Sequence, residues 1–180
     1  MNKKVWIDNK TDERYDVSHT QPIIFNFEVK LSKSSEKEKV PVKIFFSNHC
    51  YSKECYGNDP IHFKEKKGDG LIENRTFCIE RWEFSKKLPA IIAELGAKTC
   101  LQGNKKELLY RLEDKDPKNP EHGWYICMKM SYRRNKTPSI ELSIRSIHRR
   151  TNKPFNIRGG NQRFYVLLSK LINTHKKAPN

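Results

Sequence analysis

The sequence predicts an α+β fold, a mostly antiparallel sheet with one or two helices packed on one face. Two observations carry that prediction. Several stretches alternate apolar and polar residues with the period of two that a half-buried strand requires. The clearest sets Ile23, Phe25, Phe27, Val29 and Leu31 against Asn26, Glu28 and Lys30. Helical spacing belongs instead to Leu88, Ile91, Ile92 and Leu95, and again to Phe164, Leu167, Leu168, Leu171 and Ile172.

Residues 1-20 are polar and read as an irregular N-terminal arm, with at most a short edge strand at Val5, Trp6 and Ile7. Residues 21-175 read as a single α+β domain. After the strand from Ile23 comes a charged, Ser-rich connection over 32–39, and then Val42, Ile44 and Phe46 make the returning strand of a hairpin. His49 lies just beyond that strand's end. Residues 51–70, with three Gly, one Pro and little periodicity, read as a long surface loop or flap. Arg75 to Trp82 reads as a strand with Phe77 and Ile79 inward. The helix over Leu88 to Leu95 has Ser85 as N-cap, Pro89 in its first turns and Gly96 at its C-terminal cap. Three more strands, Leu108 to Leu112, Trp124 to Met130 and Ile140 to His148, are separated by 114–123 and by the basic turn 133–138. The last segment also fits a strand through Phe164, Val166 and Leu168. The helix is preferred, with Gly159-Gly160-Asn161 leading into it.

At 180 residues and 21.3 kDa the chain suits one domain, since a chain of this size buries about 70% of its unfolded surface. The 36 Lys plus Arg against 21 Asp plus Glu give a formal charge of +15, a positive field that draws polyanions through counterion release. Nucleic acid is the first partner to consider, although such charge also serves solubility alone. No apolar run approaches the ~18 residues of a membrane span, and the N-terminal residues lack the apolar core of a secretory signal. The expectation is a cytoplasmic protein that engages no membrane. Five dispersed cysteines do not form a secreted disulfide framework and are expected as free thiols.

The stretch that carries most chemistry is Ile140 to Arg150. Ile140, Leu142 and Ile144 form an apolar row, and strict alternation continues that row through Ser146 and His148, with Arg145, Arg149 and Arg150 beside them. A hydroxyl, an imidazole and guanidiniums then converge at one strand end. The alternative is a strand that runs into solvent after Ile144 with a solvated basic edge. Metal-free RNA cleavage needs a base for the 2'-hydroxyl proton, cationic donors for the phosphorane and an acid for the leaving oxygen. His49, Arg81, Ser146, His148 and Arg149 are residues of those types, with His49 expected as the base and Arg81 and Arg149 as phosphate clamps. Arg145, Arg150, Arg158 and Arg163 are expected to meet nucleic-acid phosphates, and Tyr51 to stack on a base. His49, Cys50, Cys55 and His62 lie within fourteen positions, but their spacing is looser than the tight pairs of zinc sites. No metal or other cofactor is expected. Sequence signatures for nucleotide hydrolysis, dinucleotide binding, zinc proteases and common serine hydrolases do not occur.

Three motifs, Phe46-Ser-Asn-His49-Cys50-Tyr51, Phe77-Cys78-x-x-Arg81-x-x-x-Ser85-x-x-Leu88-Pro89 and Ser143-x-x-Ser146-x-His148-x-Arg150, resemble a group of short basic bacterial proteins met on prophages and other mobile elements. The likeness covers about two-thirds of the chain in order. That group commonly has an aromatic residue where this chain has His148, which shifts weight to His49 and Arg81. The order of sheet and helix is similar, at the level of fold, to the barnase, EndoU, colicin and RelE-like ribonucleases. The expected function is a metal-independent endoribonuclease or toxin-like RNA-binding domain, with RNA favoured over DNA. The alternative is a non-enzymatic nucleic-acid-binding or protein-interaction module of a mobile element. A protein partner such as an antitoxin stays open.

Overall fold

The computed structural model describes residues 5–8, 11–32, 36–68, 70–105, 108–134, 139–154 and 157–176, apart from the side chains of 158, 159 and 176. Its strands are β1 (Val5–Ile7), β2 (Arg14–Asp16), β3 (Ile23–Lys30), β4 (Lys37–Phe46), β5 (Ser52–Glu54), β6 (Phe63–Lys66), β7 (Ile72–Phe77), β8 (Thr99–Gly103), β9 (Leu108–Glu113), β10 (Gly123–Arg133), β11 (Ser139–Arg150) and β12 (Ile157–Arg163). The α-helices are α1 (Ile79–Ser85), α2 (Leu88–Glu94) and α3 (Phe164–Lys176). Seven strands form one sheet in the order β12-β8-β9-β10-β11-β4-β3. Every neighbouring pair is antiparallel except β11 and β4, which run parallel. The fold is α+β. None of its described helices is long and apolar enough to cross a membrane.

One face of the sheet holds the main core. Val42 and Ile44 of β4, Leu142, Ile144 and Ile147 of β11, and Ile126 and Met128 of β10 pack there with Leu88, Ile92, Leu95, Phe164 and Leu168 from the helices and the turn after α2. Burying an aliphatic side chain of this kind contributes about 2 kcal/mol, so this face accounts for much of the stability. Phe84 of α1 stacks on Trp124 of β10 with centroids 4.4 Å apart.

The opposite face carries a smaller cluster of Tyr110, Leu112, Tyr125 and Ile157. What decides which residues face it is a β-bulge. Ser146 pairs with Cys127 but Ile144 pairs with Met128, so Arg145 is an extra residue on β11. An extra residue reverses the alternation beyond it. The core row therefore runs Ile140, Leu142, Ile144 and then Ile147, which is fully buried opposite Ile126. Ser146 and His148, expected on the core face, instead lie on the outer face with Cys127 and Tyr125.

Several expected elements differ. The N-terminal residues, read as an irregular arm, form the β1-β2 hairpin, whose Trp6 stacks flat on Phe77 at 4.2 Å. The stretch 51–70, read as a loop, supplies β5 and β6, which flank β7 in a separate three-stranded sheet. The strand ending near Trp82 stops at Phe77, and Ile79 begins α1 more than half exposed rather than inward. Ser85 closes α1 and is buried, donating to the Trp82 carbonyl at 2.7 Å, so it does not cap α2. Gly159-Gly160-Asn161 belongs to β12, not to a lead-in turn before α3. Of the expected basic turn, residues 135–138 lie outside the described residues.

Candidate functional site

The parallel pairing of β4 and β11 brings their C-terminal ends to the same end of the sheet. His49 sits in a 3-10 turn, Asn48–Cys50, one step past β4, and the hydroxyl of Ser47 accepts from the His49 amide at 3.2 Å. The pairing is prolonged by Ser47 N–H donating to the Ile144 carbonyl at 2.9 Å. Beside it, the bulge turns Ser146 and His148 onto the outer face. The result is a cleft of about 770 Å³ whose wall includes His49, Arg145, Ser146, His148 and Arg150. Tyr110 and Tyr125 line it from β9 and β10, and Glu65 and Lys66 line it from β6.

Two ring contacts set the chemistry of the cleft. His49 Nε2 lies 2.7 Å from Glu65 Oε2, which assigns the Nε2 proton to that bond and leaves Nδ1 as the basic nitrogen. His148 is held differently. Its Nδ1 accepts from Arg81 Nη2 at 2.9 Å, so the ring proton sits on Nε2. Burial, reinforced by Arg81 and Arg150, pulls the His148 pKa down to about 4. At neutral pH His148 is therefore an uncharged N–H donor, unable to act as a proton-releasing acid.

Arg81 reaches this point from α1, since β7, the strand preceding it, belongs to the smaller sheet. Its Nη1 donates to the carbonyls of Ser52 at 2.6 Å and His49 at 3.4 Å. Burial draws its pKa below the ordinary value, although a guanidinium stays charged. Arg81 thus holds the turn bearing His49 and the ring of His148 from behind, and it does not line the cleft.

The other expected residues divide. Arg145 and Arg150 line the cleft with Ser146. Arg149 pairs across the sheet with Trp124, on the core side, and makes an exposed ion pair with Glu80 at 3.3 Å. Arg163, at the end of β12, lines a different cavity with Phe25 and Tyr165. The side chain of Arg158 lies outside the described residues. Tyr51 is half-buried, with its ring 6.0 Å from Phe63 and packed against the main core, and it does not line the cleft. The four metal-ligand types near residue 50 do not converge. Cys50 is buried and donates to the Ile144 carbonyl, with its thiol pushed up to about 12. Cys55 donates to the Pro60 carbonyl, and His62 Nδ1 accepts from the Phe77 amide. Among the described residues no group of three His, Cys, Asp or Glu side chains is arranged to hold a metal.

Sequence reasoning missed Glu65, Lys66 and the two tyrosines. Glu65 lay inside the presumed loop. Its signal was weak: Phe63-Lys-Glu-Lys66 and Ile72-Glu-Asn-Arg-Thr-Phe77 flank Gly68 and Gly70 as two hairpin strands would, but charges occupy both faces.

The family model described as the YjaZ family matches residues 5–172, and the chain belongs to that family. No curated protein and no solved structure matches it.

Proposed function

We propose that this YjaZ-family chain binds single-stranded RNA in the cleft between β11 and β6 and cleaves it without a metal ion. The observation that supports this reading best is the meeting, on one wall, of a carboxylate-oriented imidazole, a neutral imidazole donor and two arginines that have no ion-pair partner among the described residues. His49 takes the proton of a ribose 2'-hydroxyl on Nδ1, with Glu65 stabilising the imidazolium. The 2'-oxygen then attacks phosphorus, and the bond to the 5'-oxygen breaks. His148 Nε2–H and the Ser146 hydroxyl donate to the non-bridging oxygens as charge develops, and Arg145 and Arg150 neutralise the flanking phosphates. Solvent supplies the proton to the departing 5'-oxygen. The products are a 2',3'-cyclic phosphate and a 5'-hydroxyl end. A toxin-like role on a mobile element, restrained by a protein partner, belongs to the same proposal.

The second reading is a nucleic-acid-binding module without chemistry. One observation favours it: His148, neutral down to about pH 4, leaves the cleft without an internal acid. Incubation with labelled single-stranded RNA, with and without chelator, separates the two. Scission that survives chelator, with DNA of the same sequence left intact, supports the enzyme. Intact RNA across many sequences ends it, and salt-sensitive retention of that intact RNA supports the binding module.

A further inference from the structure

Behind His148, on the side away from the cleft, a second and much smaller cavity of about 160 Å³ is lined by Lys53, Glu80, Arg81, Trp124, His148 and Arg149. Three of these carry positive charge and only Glu80 is a carboxylate. The cations come from three separate elements, β5, α1 and β11, which the fold brings to one point.

The contrast between two arginines shows what the cavity lacks. Arg75 is buried and ion-paired with Glu73, and it also donates from Nε to the Ser52 hydroxyl at 2.9 Å. Arg81 is partly buried, yet among the described residues its partners are two carbonyls and a neutral imidazole, none of them anionic. A guanidinium has five N–H groups in a planar fork. The contacts with Ser52, His49 and His148 leave Nε–H and one Nη2–H without a described partner. Glu80, the carboxylate in the same cavity, is paired with Arg149 and makes no hydrogen bond to Arg81 among the described residues. An anion that hydrogen-bonds directly to a partly desolvated guanidinium offsets much of its desolvation cost.

Size narrows the ligand. A cavity of about 160 Å³ has room for a tetrahedral oxyanion with neighbouring waters. Trp124, stacked on Phe84, makes one wall apolar, which limits competition from solvent.

We infer that this cavity is a binding site for a phosphate-type oxyanion, held by Arg81 with Lys53 and Arg149. The anion takes the free N–H groups of Arg81 as a forked pair, while Lys53 and Arg149 turn toward it from Asp59 and Glu80, to which they are paired at 3.1 and 3.3 Å. Because Arg81 also donates to His148, occupancy is felt in that ring. The source is either free phosphate or the terminal phosphate of a nucleic acid. Only the second source rests on the RNA reading above.

The test is nuclear magnetic resonance of the full chain, following the Arg81 Nε–H and His148 ring signals as sodium phosphate is added at ionic strength held constant with chloride. A saturable shift of both signals is expected. In the Lys53→Gln, Arg149→Gln double variant, whose altered side chains are partly or largely exposed and should not disturb folding, the apparent dissociation constant should rise at least tenfold. Absence of a saturable shift in the wild type, or an unchanged constant in the folded double variant, overturns the site. A short ribo-oligonucleotide with a 5'-phosphate that displaces inorganic phosphate, while its 5'-hydroxyl counterpart does not, supports the nucleic-acid source. Failure of both to displace bound phosphate supports free phosphate. The RNA scission assay is scored separately, so an inactive protein that still binds phosphate leaves this site standing.

Discussion

Arg81 Nη2 donates to His148 Nδ1 at 2.9 Å, tying α1, which packs at the edge of the core, to the end of β11. The bond needs an unprotonated Nδ1, so protonating His148 breaks it and sets two cations side by side. The folded pKa is about 4 against an ordinary 6.5. A depressed histidine pKa means that the unfolded chain binds more protons between those values, so stability is full above about pH 6.5 and declines as pH falls toward 4. The loss is about 2 kcal/mol after allowing for solvent screening of a partly open ring. His19, also depressed by burial, acts in the same direction. Urea denaturation at pH 7 and pH 4.5 checks this, and a His148→Gln variant should show a flatter pH dependence.

Replacing Arg81 by Gln should act at two places. It removes the donors to the Ser52 and His49 carbonyls, costing about 1–3 kcal/mol for a partly buried unsatisfied group. It also removes the Arg81 charge that adds to burial in depressing His148, so the His148 titration midpoint should rise from about 4 while burial and Arg150 still hold it below the ordinary value. Thermal unfolding and ring resonances against pH read the two effects separately.

The bulge makes a prediction that strict alternation reverses. Ile147→Ala should cost about 2–4 kcal/mol, because the residue is fully buried in the main core. Ser146→Ala should cost about 0.5 kcal/mol or less. Equal losses at both positions would contradict the register.

Polyanion binding should weaken steeply with salt. Each single-strand phosphate neutralised contributes about 0.7 to the log-log slope, and Arg145→Gln and Arg150→Gln should each lower the slope by roughly that amount. Arg163→Gln, in another cavity, should leave it unchanged.

Much of the fold was legible because burial imposes a period. The row Ile140, Leu142, Ile144 and the spacing of Phe164, Leu168 and Ile172 both lead to the observed strand and helix. The bulge at Arg145 was not legible, since an extra residue leaves composition and local propensity unchanged and shows itself only against the partner strand. The smaller sheet was hidden for a related reason: β6 presents charges on both faces and has no apolar row to betray it. His49 was visible as a reactive residue past the end of β4, and His148 as one near the end of β11. Glu65, brought in by β6, was not, and Arg149, which alternates with His148 along β11, pairs with Trp124 and faces away from the cleft.

The central claim is that His49, oriented by Glu65, is a base acting on RNA. The most direct measurement compares cleavage and binding of one labelled single-stranded RNA by wild type, His49→Ala and Glu65→Gln, with chelator present throughout. The account predicts that His49→Ala loses about 100-fold or more in cleavage rate, that Glu65→Gln loses about tenfold, and that both bind RNA within about twofold of wild type. Cleavage by the His49 variant at the wild-type rate would contradict it.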